Sequence, residues 1–111
     1  AVARAVVGNQ SLILADEPIA GLDPAHQISA METFAELTGE HRSVLLSIHD
    51  LGLAARHCTR LILLGEQHVV ADGAPARVLS AENLARIFNI EAFFIDTEHG
   101  PVYQSLHVLG P

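Results

Sequence analysis

Lysine is absent from this 111-residue sequence, and all six fixed positive charges are arginines. A phosphate-binding loop of the form G-x-x-x-x-G-K-S/T uses its lysine to reach the β- and γ-phosphates of a nucleotide. No such loop lies in this sequence. Basic charge of any kind is scarce: 6 Lys and Arg stand against 13 Asp and Glu, for a net charge of −7. That argues against generic affinity for nucleic acid or anionic lipid, both of which call for a basic face. The single cysteine, Cys58, rules out an internal disulfide and suits a reducing compartment. Half of the residues are apolar, yet no run approaches the ~20 residues needed to cross a bilayer. The first residues, Ala1 to Val7, lack the length and cleavage pattern of a signal peptide. Internal repeats and low-complexity stretches are also missing.

A chain of this size holds one domain at most and can bury a core. It has no initiator methionine. Ala1, Val2, Ala5 and Val6 make an apolar stripe that stops at Gly8, a residue suited to cap a helix. The expectation is a chain cut at its N-terminus and opening inside a helix. Three short apolar runs follow: Ser11 to Ala15, closed by Asp16; Ser43 to Ile48; and Leu61 to Leu64. None alternates. Continuous runs of strand length suit strands covered on both faces, as in a parallel sheet flanked by helices.

Between the first two runs a helix is expected from about Pro24 to Gly39. Asp23 is a good N-cap and Pro24 a favourable first residue. Ile28, Met31, Ala35 and either Phe34 or Leu37 would form its inward stripe. A shorter helix is expected from Leu51 to about His57, capped by Asp50. Strand, helix, strand, helix, strand is the order of an α/β layer, and right-handed crossovers bring the C-terminal strand ends to one edge. After the third run, Gly65-Glu66-Gln67 turns the chain into His68 to Asp72 as a hairpin. Gly73-Ala74-Pro75 breaks it, Ser80 caps a short helix from Ala81 to Phe88, and Glu91 to Thr97 with Val102 to Val108 makes a second hairpin around Glu98 to Pro101.

Chemistry concentrates in three places. Asp16 and Glu17 follow the first apolar run, so both carboxylates reach the rim of the sheet, where ligands of open α/β sheets bind. Asp16 is suited to Mg²⁺, which takes oxygen ligands and few of them from protein. Glu17, one residue on, would point the other way along a strand and so could polarise a water or accept its proton. A solvated pair of strand-end acids fits the same residues. Next, Gly21 turns the chain before Asp23 caps the helix, a sufficient structural account by itself. Finally, His49-Asp50 follows the second run. If the two strands are parallel neighbours, His49 shares the rim with the acids and could donate a hydrogen bond to a transferring phosphoryl oxygen. A strand-end histidine beside the cap of the next helix is the alternative.

Together these elements resemble the nucleotide-binding subunit of ATP-binding-cassette (ABC) transporters. Leu12 to Glu17 resembles the Walker B strand with the catalytic glutamate after it, Ala20-Gly21-Leu22-Asp23 the D-loop, and His49 the switch histidine of the H-loop. The resemblance spans residues 1–111 and covers about the C-terminal half of a cassette. It implies a partial P-loop NTPase fold, α/β, with parallel strands flanked by helices and C-terminal hairpins with a short helix. It also implies ATP and Mg²⁺ as ligands, Asp16 serving the metal, Glu17 the water and His49 the γ-phosphate. Gly21, Leu22 and Asp23 would lie at the interface with a second ATPase subunit, identical or not.

Transmembrane permease subunits and, indirectly, a periplasmic binding protein are the further partners implied, with a cytoplasmic location on the inner face of the plasma membrane. The Walker A loop, the adenine-stacking aromatic, the Q-loop and the signature motif have no counterparts, and Ile19 stands where many relatives carry Thr or Ser. The tail from Val70 to Phe88, together with His49 to Arg56, resembles importers of iron–siderophore, haem and cobalamin type.

Three further expectations follow. A soluble cassette ATPase of DNA repair or translation, or a non-catalytic interaction module, is the alternative to an importer. The Walker B strand, lacking its usual neighbour, would expose an apolar edge. His26, His41, His57, His68, His99 and His107 show no zinc spacing and are read as surface or packing residues, with Cys58 a small buried hydrophobe.

Overall fold

The apolar run before Asp16 forms strand β2, Gln10–Ala15, and the run before His49 forms strand β3, Arg42–Leu46. The two pair in parallel, with Leu12 opposite Ser43 and Ala15 opposite Leu46. A computed structural model describes residues 2–111, which fall into two units, Ala1–His49 and Asp50–Pro111. In the first, helix α1 (Pro24–Leu37) makes the crossover between β2 and β3 that parallel pairing demands.

Helix α1 begins as its sequence dictates. The Asp23 carboxylate accepts from the His26 backbone N–H at 2.9 Å, and Pro24 occupies the first helical position, where its missing N–H costs nothing. The helix stops at Thr38 rather than Gly39, because the Thr38 backbone turns to an extended conformation and its hydroxyl donates to the Ala35 carbonyl at 2.7 Å. Met31 is its one buried residue, 2% exposed, with Phe34 and Leu37 half-buried. Ile28 and Ala35 face solvent, so the inward stripe is narrower than the sequence suggested. Among the described residues of this unit, Met31, Ala15 and Ile19 are the buried apolar ones, and burying a side chain of Met31's size stabilises by about 1.5–3 kcal/mol.

The N-terminal segment departs from expectation. Val2–Val7 is not a helix but strand β1, antiparallel to β2, with Val2 opposite Ala15 and Val7 opposite Gln10. Two causes combine. Val2, Val6 and Val7 are β-branched and favour extended backbone, and β2 offers a row of unpaired backbone groups on the side away from β3. Gly8 turns the chain rather than capping a helix. With φ +63° it is the first residue of a two-residue loop whose second residue, Asn9, is not left-handed, the pattern of a II′ hairpin turn. The edge of β2 that was expected to be open is therefore covered, and β2 is the middle strand of the order β1-β2-β3. Ala1 lies outside the described residues.

In the second unit, α2 (Leu51–His57) starts where Asp50 accepts from the Leu53 backbone N–H at 2.9 Å. The third apolar run becomes β4, Leu61–Gly65. It pairs only with β5, His68–Gly73, in an antiparallel hairpin rather than extending a parallel layer. Burial explains the difference. Leu63 is 7% exposed while Leu64 is 67% exposed, so the strand is covered on one face despite its unbroken apolar sequence. Glu66 and Gln67 both have positive φ (52° and 68°), as a tight I′ turn requires.

Short helices α3 (Pro75–Val78) and α4 (Ala81–Asn83, capped by Ser80) follow, and a π-helical turn, Leu84–Phe88, ends at left-handed Asn89. The last hairpin joins β6 (Ile90–Thr97) to β7 (Gly100–Val108); its turn is Glu98-His99, with Gly100 and Pro101 already in the strand. Ala55, Leu79 and Leu84 form the core here, with Leu51, Leu61, Ile90, Ala92 and Tyr103 packed against it. Among the described residues no helix is long and apolar enough to cross a membrane.

Candidate functional site

The C-terminal ends of β2 and β3 lie side by side, and the chain continues past each with polar residues. The parallel ladder extends one step beyond β3, where the Ser47 N–H donates to the Ala15 carbonyl at 3.0 Å. This sets Ser47 beside Asp16, and the Ser47 hydroxyl donates to Asp16 Oδ1 at 2.7 Å. The Ser47 hydroxyl oxygen in turn accepts the backbone N–H of Glu17 at 2.7 Å. Two residues further on, His49 Nε2 donates to Glu17 Oε1, also at 2.7 Å. Asp16, Glu17 and His49 are thus brought to one margin of the sheet, as expected from the sequence.

The means of arranging the acids differs from expectation. Strand alternation does not separate them, because β2 ends at Ala15 and both acids lie beyond it. Glu17 instead adopts a left-handed backbone, φ 44°. That conformation costs an L-residue about 1–2 kcal/mol. It turns the Glu17 side chain toward His49 while Asp16 stays with Ser47. Ser47 was not singled out in the sequence. Its only signal is a hydroxyl set between Leu46 and Ile48, within the stretch Val44 to Ile48 that is otherwise apolar.

The site is open to solvent. The His49 side chain is 85% exposed and that of Glu17 48%. An exposed contact of this kind adds little to stability, so its geometry bears on chemistry more than on folding. The donor set suits a hard divalent cation of the Mg²⁺ type. Asp16 supplies one carboxylate, with Oδ1 engaged by Ser47 and Oδ2 left for a metal or for water on it, and such ions commonly take one or two protein carboxylates with substrate phosphates and waters completing the shell. Among the described residues no group of three or more His, Cys, Asp or Glu gathers as an all-protein metal cage.

The segment from Ala20 to Asp23 leads out of the site. Ala20 N–H and Leu22 N–H close successive tight turns onto the Glu17 and Ile19 carbonyls (3.1 and 3.2 Å). Gly21 has φ +80°, which explains glycine there. Leu22 is exposed, and the Asp23 carboxyl is held below the usual carboxylate range, first by the His26 backbone N–H and then by its imidazole at 2.7 Å. Other histidines find local partners: His68 Nδ1 bonds the Glu66 carbonyl and His107 Nε2 the Glu91 carboxylate. The Cys58 thiol is half-buried and pushed above its ordinary pKa by that burial, so it is a poor nucleophile or ligand at neutral pH.

Comparison with known proteins shows that the chain belongs to the ABC ATP-binding family. Its relatives include importer subunits. It is 47% identical over 89 residues to the hemin import ATP-binding protein HmuV of Bordetella avium, covering 79% of this chain and 34% of that protein. It is 36% identical over 96 residues to the ferric enterobactin transport ATP-binding protein FepC of Escherichia coli, covering 86% of this chain and 35% of that protein. It is 42% identical over 93 residues to the phosphonates import ATP-binding protein PhnC of Burkholderia pseudomallei, covering 83% of this chain and 30% of that protein. The chain thus spans about a third of the length of the curated relatives it matches. A chain from a metal-chelate type ABC transporter in an inward-facing conformation shares the fold, with a TM-score of 0.71 at 24% identity over 86% of this chain and 40% of that one. No family model matches.

Proposed function

We propose that this chain supplies the hydrolytic part of an ATP site within the ATP-binding subunit of an ABC importer, as the C-terminal portion of its nucleotide-binding domain. The observation that carries this is the joining of Glu17 to His49 at 2.7 Å across the ends of two parallel strands, beside Asp16. Residues 32 apart in sequence meet there, in an order of motifs that kinship with import ATPases supports.

In this reading Glu17 is the water-activating group. Water attacks the γ-phosphorus, its oxygen forms the new P–O bond, and the bond to the β–γ bridging oxygen breaks with its electron pair leaving on ADP. The water's proton passes to Glu17, which accepts it on a carboxylate oxygen. His49 is the phosphate sensor. Without nucleotide its Nε2–H is held by Glu17. With a γ-phosphoryl group in place the same N–H moves to a phosphoryl oxygen, freeing Glu17 Oε1 for the water. Such a donor stabilises charge that grows in the transition state. Asp16 would hold Mg²⁺, directly or through water, and the bound ion neutralises charge on the phosphates. Gly21, Leu22 and Asp23 would face a second ATPase subunit, whose signature motif completes the site.

The subunit would act at the cytoplasmic face of the plasma membrane on transmembrane permease subunits, with a periplasmic binding protein delivering cargo. Haem or an iron chelate is the cargo class favoured, since relatives from Bordetella avium, Myxococcus xanthus and Escherichia coli carry hemin and ferric enterobactin names. No phosphate loop lies within residues 1–111, so the chain by itself is expected to bind ATP weakly or not at all. The test is Glu17→Gln in the intact subunit. ATP turnover should fall about 10²–10⁴-fold while ATP binding persists. Turnover at the wild-type rate would refute the assignment.

A further inference from the structure

We propose that Ser47 is a positioning residue that aims the acid pair, with its hydroxyl fixing both the Asp16 carboxylate and the backbone turn at Glu17. This rests on the reading of Asp16 as the metal-serving acid and Glu17 as the water-activating one. A serine hydroxyl has one hydrogen to give and two lone pairs to accept with. At Ser47 the hydrogen goes to Asp16 Oδ1 and a lone pair takes the Glu17 N–H, each at 2.7 Å. The serine is itself pinned, because its own N–H is bonded to the Ala15 carbonyl at 3.0 Å. The oxygen therefore has little freedom to move away from either partner.

Two consequences follow for the acids. Asp16 is held with Oδ1 on the Ser47 hydroxyl, which leaves Oδ2 outside that bond. Glu17 is drawn into its left-handed backbone, φ 44°, a conformation non-glycine residues rarely adopt. The N–H to hydroxyl bond offsets the cost of that turn, and the turn sends the Glu17 carboxylate to His49. An aliphatic residue at 47 would continue the apolar run of β3 equally well as strand sequence. It would give Asp16 no donor and the Glu17 N–H no acceptor. Ser47 touches no reacting atom in this arrangement; it acts through the two carboxylates.

The experiment compares Ser47→Ala, Ser47→Thr and Ser47→Val in the intact ATP-binding subunit. Three quantities are read: kcat and KM for ATP, the Mn²⁺ concentration that half-saturates the site by electron paramagnetic resonance, and the exchange rate of the Glu17 backbone amide by NMR. For Ser47→Ala, kcat should fall about 10-fold, the scale of a lost hydrogen bond to a charged group, while KM for ATP stays within about twofold. Half-saturation by Mn²⁺ should rise several-fold, and the Glu17 amide should exchange about 10-fold faster, with the amides of β2 and β3 unchanged. Ser47→Thr keeps the hydroxyl and should restore all three.

Where alanine disturbs the sheet, threonine and valine have the same shape and differ in the hydroxyl, so their contrast carries the same test. Wild-type values of all three quantities in Ser47→Ala, or equal behaviour of Ser47→Thr and Ser47→Val, overturn the proposal. Wild-type turnover in Glu17→Gln overturns the reading beneath it instead, and the Glu17 amide still reports whether the hydroxyl holds the turn.

Discussion

The two units of the chain are held together by different means. Of the ten buried apolar residues among those described, Ala15, Ile19 and Met31 belong to the unit Ala1–His49; the other seven, from Leu53 to Leu84, belong to Asp50–Pro111. The first unit spends its ordered geometry on hydrogen bonds at a solvent-exposed sheet margin, where Asp16, Glu17, Ser47 and His49 bond one another. The second carries the larger apolar core and none of those residues. In the proposed role these side chains keep their polar groups accessible to ATP and water, and burial does little to hold them. Backbone register and short hydrogen bonds fix them instead.

This contrast can be broken by substitution, and the largest effects belong to the margin. Asp16→Asn in the intact subunit should lower ATP turnover about 10²–10³-fold, by analogy with removing one preorganised charge-stabilising group. The thermal unfolding midpoint should barely change, and steady-state kinetics beside a melting curve checks both. His49→Ala should lower kcat about 10²-fold, again without unfolding, because its side chain is 85% exposed.

Core substitutions should reverse the pattern. Met31→Ala and Leu84→Ala each remove a buried side chain, and each should cost about 2–5 kcal/mol of local stability. Amide exchange would locate the damage: in α1, β2 and β3 for Met31→Ala, and in α2, β6 and β7 for Leu84→Ala. Exchange that rises over the same amides in both variants would show that the two units do not differ as described.

The smallest effect is acidic. The folded pKa of Asp23 is depressed, so its contribution is present above the unfolded value of about 3.9 and is lost as pH falls through the lower folded value. Asparagine is also a good N-cap, so Asp23→Asn should leave stability near pH 6 almost unchanged. It should flatten the decline below about pH 3.9, as urea midpoints at the two pH values would record.

Much of this was legible in the sequence. Asp23-Pro24 and Asp50 announced two helix starts, the apolar runs before Asp16 and His49 announced parallel strands, and that pairing brings the three named residues to one sheet margin. Other features were not legible for physical reasons. The apolar stripe of Ala1 to Val6 fits a helix, but pairing with the free edge of β2 outweighs weak local preference, and the segment became β1. The run Leu61 to Leu64 looks two-sided, yet β4 is covered on one face only, a tertiary fact that composition does not carry. The left-handed turn at Glu17 was hidden because glutamate gives no local hint of positive φ, and the hydroxyl that partners it lies 30 residues away in sequence.

In the proposed function Glu17 and His49 act as one unit on ATP, and a double-mutant cycle in the intact subunit measures that directly. Single-turnover hydrolysis would be followed in Glu17→Gln, in His49→Ala and in the double variant. Residues that work through a shared arrangement are strongly non-additive, so the double variant should be little slower than the slower single one. Losses that multiply would mean that the two side chains act independently, and the bond between them at the sheet margin would then have no part in the reaction.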